Sequence, residues 1–269
     1  MVETIERRRE KRFEIGSINL PFLGTREEDH SCFQYIIIDM SRGGIRFVVP
    51  NWVVNRAKIQ KDDIINFHLP VHIKDNYYNQ SVILWTKWDE EFQGEVCGAR
   101  LGSIERPLYP AFISIEPSSI SISLNYSGAD RNLLCSVIKD AAFLKRGVDI
   151  YLEHLITFFS RISGYPRDEY PQLRESLLVD IHNRVKEHCT KLEELYEKIK
   201  DRTILQSETA KYIDLEELRP IIESEIYIEL FKIAFSNESV MSYLNAIKNL
   251  EKRLYSNYNT VVLLYIHSL

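Results

Sequence analysis

The sequence predicts a multidomain α and β chain, an N-terminal six-stranded antiparallel β-barrel followed by an all-α helical bundle. Three observations predict it. Between Phe13 and Leu101, short runs rich in Ile, Val, Phe, Tyr and Trp alternate with polar or glycine-bearing turns, the pattern of antiparallel strands. From Ala129 onward the apolar residues recur at spacings of three and four, the period of an amphipathic helix. The chain has 269 residues, and domains usually hold about 100 to 200.

The expected strands are Phe13–Phe22, Phe33–Ile38, Ile45–Val49, Ile64–Leu69, Ser81–Lys87 and Gly94–Leu101. Closing them into a barrel removes the exposed edges of an open sheet. The Ser-rich stretch 118–128 reads equally as a linker or a last strand, since Ser and Ile alternate in it. The domains are therefore expected at 1–117 and 129–269. In the second, Leu134 to Ile162 follow one helical stripe, unbroken or divided near Gly147. Ile181, Val185, His188, Leu192, Leu195 and Ile199 form heptads in a helix over about 173–200. Asp214 and Glu217 have the spacing of a capping box, and a last helix starts near Ser239. The heptads can pack within one chain or pair two chains into a homodimer.

Apolar residues make up 45% and charged residues 27%, which excludes a disordered chain. The net charge is -5, shared between the two halves, so neither half is the basic surface of a nucleic-acid binder. Cys32, Cys97, Cys135 and Cys189 are widely spaced with no CxxC pair, against both a zinc site and a disulfide framework. The N-terminal cations are followed by no apolar run, and Val261–Ile266 is far shorter than the roughly 20 residues that span a bilayer. A cytoplasmic protein without a membrane span is expected.

Two segments carry chemistry. Residues 7–12 read Arg-Arg-Arg-Glu-Lys-Arg, five cations in six positions. Guanidinium forks grip phosphate oxygens in pairs, read the O6 and N7 edge of guanine and stack on bases. The bland alternative is a solvated basic tail. Residues 39–44, Asp39-Met-Ser41-Arg-Gly43-Gly44, lie between two apolar strands and place a carboxylate and a hydroxyl beside a tight turn in which Gly43 or Gly44 can take positive φ. A carboxylate there can accept the N1 and N2 donors of guanine, a pair that adenine lacks. Asp39 and Ser41 capping local amides is the bland alternative.

Together, Arg8-Arg-Glu-Lys-Arg12 and Asp39-Met-Ser41-Arg-Gly-Gly44 resemble the RxxxR and (D/N)xSxxG signature of PilZ domains, which bind the bacterial second messenger cyclic di-GMP. The resemblance covers about residues 5–116, including the Val82–Trp85 strand and Gly98-Ala-Arg-Leu101. The helical half resembles no family. The resemblance implies that Arg8 and Arg12 lie on an arm that wraps the ligand, facing Asp39, Ser41 and Gly44. Arg7, just before the motif, implies an intercalated ligand pair rather than a single molecule. The implied function is a cyclic di-GMP receptor that signals by domain rearrangement to a protein partner through the helical domain. The alternatives are an adaptor of the same fold without ligand binding, or a small-barrel nucleic-acid-binding protein.

No enzyme, metal or cofactor is expected. His68 and His72 have Pro70 between them and do not share a helical face. His182, His188 and Cys189 belong to one helix, with His188 in its apolar seam. No HExxH, GxSxG or phosphate-binding glycine loop occurs.

Overall fold

The computed structural model describes residues 13–14, 21–52, 58–73, 76–103, 111–115, 120–124, 132–161, 178–228, 231 and 238–269. The chain divides into two compact units, residues 1–27 with 33–125, and residues 28–32 with 126–269.

The first unit is built from β1 (Phe13–Glu14), β2 (Phe22–Arg26), β3 (Cys32–Ser41), β4 (Gly44–Pro50), β5 (Ile64–Ile73), β6 (Asn76–Asp89), β7 (Gly94–Ser103), β8 (Ala111–Ile115) and β9 (Ile120–Leu124). The order β3-β4-β7-β6-β5 is closed by β2, which pairs with both β5 and β3, so six strands form the expected barrel. Closure leaves these strands without a bare edge. Its interior is aromatic. Tyr35 and Phe67 are 4.9 Å apart, Phe47 meets Phe67 edge-on at 5.4 Å, and Phe22 and Phe33 flank Tyr35. Such tilted and edge-on pairs suit ring quadrupoles.

Three details depart from the expected strands. The run Phe13–Phe22 is not one strand: Pro21, with no N–H for a ladder, lies outside β2, which starts at Phe22 and continues to Arg26. β5 does not stop at Leu69 but passes through Pro70, where the pairing with β6 shifts register between Asn66 and Val71. A register shift is where a strand tolerates a residue that cannot donate. Of the 118–128 stretch, Ile120–Leu124 form a strand, and its partner β8 was absent from the expected set. β8 runs parallel to β5 at Val71 and His72. His72 meets Tyr77 at a tilt, 4.6 Å away, and Phe112 edge-on at 4.9 Å, whereas His68 Nε2 is 2.9 Å from Thr25 Oγ1. The two imidazoles thus serve separate packing contacts.

The second unit contains α1 (Leu133–Arg161), α2 (Asp180–Ile199), a 3-10 turn (Gln206–Lys211), α3 (Leu215–Ile222) and α4 (Glu238–Ser268). α1 runs unbroken through Gly147 and packs against α2 and α4. The α2 seam is Ile181, His182, Val185, Cys189, Leu192 and Ile199, so Cys189 rather than His188 takes the central buried position. Asp214 caps α3 by accepting from the Glu216 and Glu217 amides at 2.8 and 3.3 Å. Val261–Leu264 of α4 are all buried. Among the described residues no helix is long and apolar enough to cross a membrane.

Several buried polar side chains in this unit are paired. Lys145 Nζ donates to the Glu223 carbonyl at 3.2 Å, and His182 Nε2 lies 2.9 Å from Asp149 Oδ1. Asn257 donates to Asp140 at 3.0 Å. The loop segment 28–32, which joins β2 to β3 but belongs to this unit, contributes His30, whose Nε2 is 2.9 Å from Glu251 Oε2 on α4. Both side chains are almost fully buried.

His188 faces Lys145, Lys191, Glu187 and Glu225, with Nδ1 3.4 Å from Glu225. Burial, reinforced by the Lys145 charge, holds its imidazole below the ordinary 6.5. The unfolded chain therefore binds this proton more readily, and its contribution is present above 6.5 and lost as pH falls below it. His188→Gln should show a smaller loss of denaturant stability than the parent protein when pH is lowered from about 7 to about 5. An identical loss in both proteins contradicts this.

Candidate functional site

A tight hairpin turn joins β3 to β4. Ser41 pairs with Gly44, so Arg42 and Gly43 form a two-residue connection, and both are exposed. Gly43 accepts a hydrogen bond from the Leu101 amide at 3.3 Å, tying the turn to β7. Gly44 has no left-handed backbone. A Cβ there would lie 2.7 Å from the Ala99 carbonyl oxygen, so the position needs glycine for close approach of β7.

Alternation along β3 puts Phe33, Tyr35 and Ile37 in the core. Continued regularly, it would aim Asp39 inward as well. The pairing with β4 instead shifts between Ile37 and Asp39, and Met40 takes the next core position. Such a bulge reverses the phase of the strand. Asp39 and Ser41 consequently share the outer face.

β6 repeats the device. Ser81 and Ile83 are buried, the pairing with β7 shifts between Ile83 and Trp85, and Trp85 is 41% exposed. Its indole lies over Gly98, where any Cβ would overlap the ring. Across the sheet the register runs Asp39 to Arg46, Arg46 to Gly98 and Gly98 to Trp85. One row on the outer face thus carries a carboxylate, a guanidinium, a gap and an indole. The adjacent row runs Ser41, Gly44, Arg100, and Arg100 is exposed.

Asp39 and Arg46 form an ion pair, Arg46 Nη2 lying 2.6 Å from Asp39 Oδ2. The carboxylate is only 4% exposed and the Arg46 side chain 35%. Arg46 Nε is buried and makes no hydrogen bond. The structure therefore joins Asp39, Ser41 and Gly44 on one face and adds Arg46, Arg100 and Trp85, which sequence reasoning did not assign to the site. Arg46 and Arg100 carried a signal, each being two residues from a recognised glycine, Gly44 and Gly98. Trp85 did not, because regular alternation from Ile83 would bury it.

Arg7, Arg8 and Arg12 lie outside the described residues. The strand that follows them does not. β1 pairs antiparallel with β3, Phe13 opposite Met40 and Glu14 opposite Asp39. Among the described residues no group of three His, Cys, Asp or Glu side chains could hold a metal ion. Burial pushes the Cys189 thiol up to about 11 and raises Cys97 further, so neither presents a reactive thiolate near neutral pH.

No curated protein and no solved structure matches the chain. Residues 6–107 match the family model of the PilZ domain. That family comprises cyclic di-GMP receptors, binding modules rather than catalytic ones. With its closed six-stranded barrel and the turn just described, the segment 6–107 is similar to a PilZ domain, and four α-helices follow it among the described residues.

Proposed function

We propose that the first unit is a cyclic di-GMP receptor, that the protein is not an enzyme, and that ligand binding is passed through the helical unit to a protein partner. The ligand is a dianion with two guanines. It is taken between Arg7, Arg8 and Arg12 on one side and Asp39, Ser41, Gly43 and Gly44 on the other. The observation that carries this reading is the β1–β3 pairing, since it sets the residue following Arg12 beside Met40 and Glu14 beside Asp39. A cationic arm tethered there has a short distance to span. Arg100 adds positive charge to the sheet face, and the exposed Trp85 indole offers a flat apolar surface on which a base can stack.

The output rests on chain connectivity. β3 starts at Cys32 and ends at Ser41, so the strand that carries Asp39 follows directly on the segment 28–32 that belongs to the helical unit. Within that unit His30 is held by Glu251 and lies 5.9 Å from the Tyr255 ring. Ligand contact at β3 is the kind of local event that biases a neighbouring element.

In titration calorimetry, Arg8→Ala, Arg12→Ala and Asp39→Ala should each weaken cyclic di-GMP binding by about 10- to 100-fold, the range for a bidentate base contact. Unchanged affinity in all three refutes the site. Gly98→Val, which displaces the Trp85 indole, should weaken binding at least as much as Trp85→Ala; equal affinity in the parent and both variants removes Trp85 from the site. For the output, cyclic di-GMP should alter amide exchange in α4 around Glu251 in the parent protein and much less in His30→Ala, at comparable ligand affinity. An unaltered α4 in the parent protein rules this route out.

A further inference from the structure

Guanine presents three groups in line on its Watson–Crick edge: the O6 acceptor, then the N1–H and N2–H donors. A lone carboxylate answers only the two donors. O6 then meets either water or an unmatched surface, and an unmatched acceptor in a closed site carries a penalty. The row on the outer face holds more than a carboxylate. Arg46 is directly opposite Asp39 in the β3–β4 ladder, and its Nη2 donates to Asp39 Oδ2 at 2.6 Å. A carboxylate offers about four lone-pair sites, so this bond does not exhaust it. A guanidinium carries five N–H donors in a fixed fork, and the one bond to Asp39 leaves donors for a second acceptor beside Oδ2.

We propose that Arg46 is a specificity-determining residue of the guanine site, donating to O6 while it holds the Asp39 carboxylate against N1–H and N2–H. The inference rests on the reading of this face as a guanine site and deepens it. The ion pair then presents donor, acceptor, acceptor, the complement of guanine's acceptor, donor, donor. Adenine presents an amino donor where O6 stands and an acceptor at N1, so it opposes donor with donor and acceptor with acceptor. Three features of the structure support the assignment. The pair is fixed by the ladder rather than by a loop. The Arg46 side chain is about one-third exposed, so its guanidinium opens to the outer face beside the Asp39 carboxylate it holds. Gly98, next to Arg46 in the row, leaves room above the sheet that the Trp85 indole enters from the far side.

The test is binding by calorimetry of cyclic di-GMP and of its 6-thio analogue, whose sulfur accepts hydrogen bonds weakly, to the parent full-length protein, Arg46→Met and Arg46→Lys. The parent should bind cyclic di-GMP about 10- to 100-fold more tightly than Arg46→Met. It should also prefer cyclic di-GMP to the thio analogue, and that preference should vanish in Arg46→Met. A merely structural role for Arg46 would weaken both ligands equally and keep the preference, which overturns the proposal. Tighter binding by Arg46→Met would show that the guanidinium covers the carboxylate and would overturn it too. Removing Arg46 leaves Asp39 without its cation, so a thermal melt accompanies each variant. Where Arg46→Met fails to fold, Arg46→Lys keeps the charge but not the fork and should lose most of the preference; full retention refutes the assignment. Failure of the parent to bind cyclic di-GMP refutes the receptor reading itself, whereas parent binding with an unaltered preference in the variants refutes only Arg46.

Discussion

A β-strand has two faces, and the interior of this barrel accepts only one kind of side chain. Phe33, Tyr35 and Ile37 point into a core that includes Phe47 and Phe67. A strictly alternating β3 would add the Asp39 carboxylate to those rings. Desolvating a carboxylate without a partner costs several kcal/mol even after relaxation. The shift in pairing between Ile37 and Asp39 avoids this, because Met40 takes the core position and the acid turns outward to meet Arg46. The position of every polar group at the turn follows from that phase reversal.

The matching shift in β6 has the complementary effect. Trp85 would continue the buried series Ser81, Ile83, but the offset brings its indole out over Gly98. Two bulges on strands separated by β4 and β7 thereby assemble one outer row from residues that regular alternation would bury. Groups fixed in this way lose little freedom when a ligand arrives, since ladder pairing has already ordered their backbones. The five cations of residues 7–12 precede the two-residue β1 in sequence, and β1 is paired with the strand that carries Asp39.

Much of this was legible in the sequence. Five of the six barrel strands, β3 to β7, follow from the spacing of β-branched and aromatic runs, and the turn at Arg42 and Gly43 from Ser41 and Gly44 beside it, whereas β2 and β8 do not. The Asp214 cap was readable because an Asx residue two and three positions before free amides is a local signal. Arg46 carried only the signal of its nearness to Gly44, and Trp85 carried none. Their orientation depends on register, and a bulge leaves no mark in residue type when the inserted residue is one Ile among three. The same blindness hid Cys189 behind His188. In α2 the spacing of four rather than three after Val185 puts Cys189 in the seam, while Ile181, Val185, Leu192 and Ile199 keep their expected places.

Buried polar contacts constrain how the helical unit can deform. Its interior is crossed by Lys145 to the Glu223 carbonyl, His182 to Asp149, Asn257 to Asp140 and His30 to Glu251. Each is a buried polar group whose partner lies on another element or segment. Sliding α1 or α4 by part of a turn would part several of these at once, and a single buried pair broken by loss of its partner costs about 3 to 5 kcal/mol. Graded deformation is therefore expensive, whereas motion that keeps the pairs intact is not. Helices pinned by polar contacts respond by turning as a body or by exchanging one complete set of partners for another. His30 is the pin that belongs by sequence to the β2–β3 connection, with a left-handed φ of 60°. Histidine is among the non-glycine residues more tolerant of that region, and a residue fixed in a sparsely populated conformation persists because its surroundings hold it. The same residue thus combines a left-handed backbone, a buried ring and a bond through Nε2, which fixes the segment 28–32 against α4 within the helical unit.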